Sequence, residues 1–205
     1  PTGAQTLDMT INGTAGTVSI ANGTYTQANL VATLQSAING SSAFSANGIA
    51  VTVGMNGTRA SVGGSTAAGK TITAGVNDTL DVTIDGTTVA GIALTAGTYA
   101  TAAALASMVQ SKINAAFSGG KSVTVSEFNG VLTVKSDSYG TTSNVTVADG
   151  GGTTGATGLL GAATQTGSGS GTAALTIASN SFGAATNVSV GGGSAAATLF
   201  GAATL

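Results

Sequence analysis

Leu80-Asp81-Val82-Thr83-Ile84-Asp85-Gly86 places an apolar residue at every second position and ends in an Asp-Gly pair. A period of two marks a strand with one buried and one solvated face. Asp-Gly is a turn pair that tolerates the positive φ angles of a tight hairpin, and Ile92-Ala93-Leu94 can return as the partner strand. Almost the same stretch occurs earlier as Leu7-Asp8-Met9-Thr10-Ile11-Asn12-Gly13, followed by Val18 and Ile20. The chain therefore contains an internal repeat, and its extent decides the architecture.

Working outward, Gly23-Thr24-Tyr25 recurs as Gly97-Thr98-Tyr99. The apolar spacing then changes to four, with Leu30, Leu34 and Ile38 answered by Leu105, Val109 and Ile113. Each set forms one stripe on a helix. Gln35 and Asn39 match Gln110 and Asn114, Thr26 and Thr101 sit at N-cap positions, and Gly40 and Gly119-Gly120 are stops. Val51–Val53 and Val123–Val125 follow as strands. There the first copy breaks off, while the second continues through Leu132–Val134 and Val145–Val147 to Leu159-Leu160. The missing tail of the first copy lies at the far end of the chain, as Leu175–Ile177, Val188–Val190 and Leu199-Phe200. Three tandem repeats, two of them truncated, are the alternative, but the partial copies complement each other and do not overlap. The expectation is an α+β fold of two similar small domains, each a mostly antiparallel sheet with one packed helix, one inserted into the other. The parent domain spans 1–57 plus 173–205, the insert spans 71–166, and the Gly/Ser-rich segments 58–70 and 167–172 read as linkers.

Composition limits what such domains can do. Charged residues make up 6% of the 205-residue chain, against roughly 25% in an ordinary domain. Hydrophobic residues reach 42% and mean hydropathy is +0.39, the opposite of a disordered chain, and the single proline is Pro1. There is no His, Cys or Trp, so no Ser-His-Asp triad, thiol nucleophile, disulfide or ordinary zinc site can form. A net charge of −2 provides no footprint for a nucleic-acid backbone. No apolar run approaches the roughly 18 residues that would cross a bilayer. The start at Pro1-Thr2-Gly3-Ala4 carries neither Met nor a signal peptide and reads as a piece of a longer chain. These features predict a protein that is not an enzyme, with no catalytic, cofactor-binding or metal-binding residues and no nucleic-acid or membrane partner. Only Asp8 among the charged residues belongs to the parent copy. The others fall between Arg59 and Asp149, which makes the insert the more solvated, distal unit.

Three patterns imitate chemistry. Gly64-Ser65-Thr66-Ala67-Ala68-Gly69-Lys70-Thr71 has the spacing of a phosphate-binding loop, but that loop works only ahead of a helix, and here a strand follows. Asp78, Asp81 and Asp85 could suggest calcium. Asp81 and Asp85, on one face of a strand, lie about 13 Å apart, and no calcium-loop pattern frames them. Glu127 and Asp81 are the acids an enzyme would have to use. The Asn-Gly pairs at 12, 22, 39, 47, 56 and 129 are turn formers. Tyr25, Tyr99, Tyr139 and Phe182 recur at matched places and read as core plugs.

Taken together, Asp78–Gly86, Ala96-Gly97-Thr98-Tyr99, Leu105–Ala115 and Leu132–Val147, with parent counterparts in Leu7–Val53 and Leu175–Val190, resemble the flagellin hook IN motif. That motif belongs to the outer domains of bacterial flagellar axial proteins, chiefly the filament cap (hook-associated protein 2) and some flagellins. The resemblance implies export to the cell exterior without a cleaved signal peptide. It also implies a place in the bacterial flagellum and partnership with other flagellar subunits, by self-association or with flagellin. The chain lacks heptad segments, so it would correspond to the outer domain pair of a cap protein that promotes flagellin assembly at the tip and contacts host surfaces. One alternative is the outer variable region of flagellin, facing host glycans or immune receptors. Another is an adhesin or glycan-binding module, for which 4% aromatic residues give little material.

Overall fold

The computed structural model describes residues 5–183 and 186–200. Pro1 and the end of the parent tail, 201–205, lie outside the described residues. In chain order the elements are β1 (Gln5–Ile11), β2 (Thr14–Ile20), α1 (Gln27–Gly40), α2 (Ser42–Ser45), β3 (Val51–Gly57), β4 (Ser61–Gly63), β5 (Thr71–Ile72), β6 (Thr79–Ile84), β7 (Thr87–Ala93) and β8 (Gly97–Thr98). They continue with α3 (Ala102–Ala116), β9 (Val123–Phe128), β10 (Val131–Ser136), β11 (Asn144–Asp149), α4 (Gly155–Leu160), β12 (Thr164–Ser168), β13 (Gly171–Ser179), β14 (Val188–Gly192) and α5 (Ala196–Phe200). The chain divides into two compact units, one of Pro1–Asn56 with Ala173–Leu205 and the other of Gly57–Thr172. The fold is α+β, built mostly on antiparallel sheets.

Each unit starts from a hairpin set by its turn. Asn12-Gly13, Asp85-Gly86 and Asn129-Gly130 have φ of 51° and 81°, 49° and 75°, and 51° and 80°. Positive φ at both central residues is a type I′ turn, whose twist matches that of paired strands. The turns place Ile11 opposite Thr14, Ile84 opposite Thr87 and Phe128 opposite Val131. With register fixed, alternation does the rest: Leu80, Val82 and Ile84 are fully buried while their neighbours on β6 are half-buried.

In the first unit, β1 lies between β14 and β2, and β13 pairs with β3. Met9 faces Val190 across the β1–β14 ladder. Helix α1 is capped by the Thr26 hydroxyl, which accepts the Asn29 N–H at 3.2 Å. Its Leu34 and Ile38 join Leu7, Ile11, Val51 and Val190 in one core. In the second unit, β6 lies between β11 and β7 with β12 outside β11, while β10 lies between β4 and β9. The Thr101 hydroxyl caps α3 through the Ala104 N–H at 3.1 Å. Leu105, Val109 and Ile113 sit in the core against the β6 and β10 side chains. Among the described residues no helix is long and apolar enough to cross a membrane.

Two expectations need correction. The helix content exceeds one per unit: α2 buries Phe44 completely, and α4 buries Leu159 and Leu160. These helices of four and six residues are too short to show a period. The segments 58–70 and 167–172 are also not flexible linkers. Ala60 and Val62 are buried, and β4 pairs with β10 from Ser61 to Gly63. Gly167 belongs to β12, where a Cβ would lie 2.1 Å from the Ser61 carbonyl oxygen. Glycine there serves close packing, a use that composition alone does not distinguish from flexibility.

A fragment spanning 57–172 therefore retains β4 with Ala60 and Val62, whereas one spanning 71–166 loses them. The longer fragment is expected to melt cooperatively and at least about 5 °C higher in calorimetry, since removing two buried apolar side chains costs a few kcal/mol.

Candidate functional site

The polar groups that matched in the sequence tie the same elements together in both units. In the second unit the Asp85 carboxylate accepts the Ser138 hydroxyl at 2.8 Å and the Asn144 N–H at 3.0 Å. In return, the Asn144 side chain accepts the Gly86 N–H at 3.1 Å. In the first unit Asn12 takes this place: its amide donates to the hydroxyls of Ser179 and Ser181, each at 3.1 Å, and accepts the Asn187 N–H at 3.2 Å. A hairpin turn is thus tied to the loop leading into the matching strand of its own unit, β11 in the second and β14 in the first. The helix makes a second tie. Asn114 bonds both backbone groups of Val123 at 2.8 and 2.9 Å, and Gln110 accepts the Val125 N–H at 2.7 Å. Asn39 with Val51 and Gln35 with Val53 repeat the arrangement.

One ion pair stands out. Arg59 and Asp137 form a salt bridge with side chains only 17% and 12% exposed. Asp137 also accepts the Ser122 and Thr124 hydroxyls at 2.6 and 2.7 Å, and Arg59 donates to the Ser136 carbonyl. The guanidinium lies 5.9 Å from the Tyr139 ring centroid, within cation–π range. Asn180 replaces Asp137 in the first unit and accepts the Thr52 hydroxyl at 2.7 Å. Sequence reasoning missed Arg59 because it lay in a presumed linker.

The patterns that imitate chemistry are occupied otherwise. In the stretch 64–71 the Gly64, Ser65, Ala68 and Gly69 N–H groups bond the carbonyls of Leu132, Leu160, Gly130 and Gly158, so they do not form a phosphate cradle, and β5 follows. Asp81 accepts the Gly91 N–H at 2.7 Å, holding an irregularity in the β6–β7 ladder between Leu80 and Val82. Glu127 accepts the Gly130 N–H at 3.0 Å, and Asp149 takes the N–H and hydroxyl of Thr157 at 2.8 and 2.7 Å. Asp78 accepts the Thr79 hydroxyl at 3.3 Å. Among the described residues no three acidic side chains gather in a way that could hold a metal ion.

The aromatic plugs divide. Tyr99 packs against the core of the second unit, and Tyr25 and Tyr139 are half-buried. Phe182 is fully exposed at 100%, a correction: its counterpart Tyr139 has Arg59 to lie on, and the first unit contains no arginine. A cleft of about 410 Å³ lies in the first unit, lined among others by Ile20, Gly23, Tyr25, Leu30, Thr198 and Leu199. Its described lining exposes mostly apolar surface and carries no charged side chain, so it can hold an aliphatic group.

No protein-family model matches the chain, and no curated protein matches it. Among solved structures it is similar to a flagellar cap protein. That structure is the cap protein FliD from Helicobacter pylori, at 14% sequence identity, covering 78% of this chain and 51% of that one, with a TM-score of 0.35. The chain spans about half the length of the FliD chain, and at this identity and score the similarity is loose.

Two substitutions separate the ties. Asp137→Ala leaves the Arg59 charge buried without its partner and is expected to cost the 57–172 fragment about 3 kcal/mol in urea unfolding. At the turn, Asp85→Asn reproduces the residue used in the first unit and is expected to cost under about 1 kcal/mol, since hydroxyl donors and acceptors can exchange roles. Asp85→Ala removes the carboxylate's bonds and strains a positive φ, and should cost about 3 kcal/mol in the same assay.

Proposed function

We propose that the chain is the outer domain pair of a bacterial flagellar axial protein, the filament cap, with a structural and not an enzymatic role. The observation that carries this reading is the duplicated hairpin–helix–hairpin unit with motif-like residues in both copies, one copy occupying the interval between β3 and β13 of the other. The side chains fit such a role: Asp85 and Glu127 serve turns, Asp149 a helix start and Asp81 a strand irregularity, and Asp137 holds Arg59. On this reading the protein works outside the cell, and its partners are flagellin and further copies of the cap.

Immunogold labelling with antibody against the chain tests the proposal in the bacterium that makes it. A cap protein is expected to give label at filament tips alone. Label along the filament would replace the cap by the flagellin variable region. Label on the cell body, together with saturable binding on a glycan array, would replace both by an adhesin.

A further inference from the structure

We propose that Asn129 is a site of self-modification. The Gly130 amide nitrogen displaces ammonia from the Asn129 side chain, and water then opens the resulting ring to leave an aspartyl or isoaspartyl residue. Glu127 is the base for the first step. The turn joins β9 to β10, where Phe128 faces Val131, and Asn129 is exposed at its tip. Glycine after the asparagine matters twice: it has no Cβ to shield the nitrogen, and it accepts a φ of 80°. Gly130 is held from both sides. Its N–H donates to Glu127 Oε2 at 3.0 Å, and its carbonyl accepts the Ala68 N–H at 2.9 Å. A carboxylate oxygen thus lies within hydrogen-bond reach of the proton that has to leave before the nitrogen can attack.

The other Asn-Gly pairs are engaged. The Asn12 side chain bonds Ser179, Ser181 and Asn187, and Asn39 bonds both backbone groups of Val51. The Asn47 amide donates to the Ala43 carbonyl at 2.9 Å, while the N–H of its glycine, Gly48, bonds Ser45. Asn22 and Asn56 have interactions as well. The Asn129 side chain makes no hydrogen bond to any described residue, so it swings over the next nitrogen without breaking one. In the first step Glu127 takes the Gly130 proton, the nitrogen bonds to Asn129 Cγ, and the Cγ–Nδ2 bond breaks. The proton passes to Nδ2, which leaves as ammonia. Water, the co-reactant, then cleaves one of the two ring C–N bonds. Cleavage at Cγ gives aspartate, and cleavage at the main-chain carbonyl gives isoaspartate. The aspartyl product suits the turn, because Asp85-Gly86 adopts the same conformation at φ of 49° and 75°. The isoaspartyl product routes the main chain through an extra methylene and disturbs the Phe128–Val131 register. Either one adds a negative charge two residues from Glu127.

The test ages the full chain at neutral pH and follows it by mass spectrometry after denaturation and tryptic digestion. Trypsin releases residues 122–135, in which Asn129 is the only asparagine. Its conversion, read as replacement of NH by O in the mass, is expected to run at least about tenfold faster than that of Asn12 or Asn39, whose amides must first open. Ageing in guanidinium chloride should erase the difference. Glu127→Gln keeps an oxygen that can accept the Gly130 N–H but is no base, and is expected to slow conversion at Asn129 at least about fivefold in the folded chain alone. Equal rates at Asn129 and Asn12 in the folded chain, or a difference that persists in guanidinium chloride, would overturn the site. A Glu127→Gln chain that converts as fast as the parent or faster, or is slowed equally in guanidinium chloride, would overturn the role of Glu127. None of these outcomes depends on a flagellar role, which the labelling experiment decides separately.

Discussion

The first unit cannot close without the far end of the chain. Its central strand β1 has β2 on one side and β14 on the other, and Val190 of β14 enters the core beside Leu7 and Ile11. β3 likewise finds its ladder partner in β13. A strand left without that partner would expose unpaired N–H and carbonyl groups along one edge. Any sequence placed between β3 and β13 must therefore bring its two ends back together. The second unit, beginning at Gly57 and ending at Thr172, does so with its own bonds: the Thr58 N–H donates to the Ser170 carbonyl at 2.8 Å.

The two units solve one packing problem with different chemistry. The turn residue is Asp85 in one and Asn12 in the other, and the loop residue is Asp137 in one and Asn180 in the other. A carboxylate only accepts, whereas an amide also donates, so the surrounding hydroxyls reverse their roles and the geometry survives. At the loop position the charged residue comes with a cation to meet it, as Arg59 meets Asp137. The first unit makes the corresponding ties with the neutral Asn12 and Asn180.

Much of this was legible in the sequence because the repeat supplied an internal comparison. The hairpins, the helix stripes through Leu34 and Ile38 or Leu105 and Ile113, the threonine caps and the pairing of the two partial copies all follow from spacing. What escaped reading has physical reasons. Phe44 and the Leu159-Leu160 pair lie on helices too short to repeat a pattern. Ala60, Val62 and Gly167 hide in Gly/Ser/Thr-rich stretches, where a glycine required by a close carbonyl looks like one required by flexibility. Phe182 matched Tyr139 by position, but position does not reveal whether a guanidinium lies beneath the ring.

The uneven distribution of basic residues has a consequence for proteolysis. Arg59, Lys70, Lys112, Lys121 and Lys135 are the only trypsin-sensitive positions in the chain, and all lie in the second unit. A digestive protease of that specificity could sever the second unit repeatedly without breaking a single peptide bond in the first. The two lengths that build the first unit would then be separate molecules, held together only by the β1–β14 and β3–β13 ladders and the side chains packed behind them.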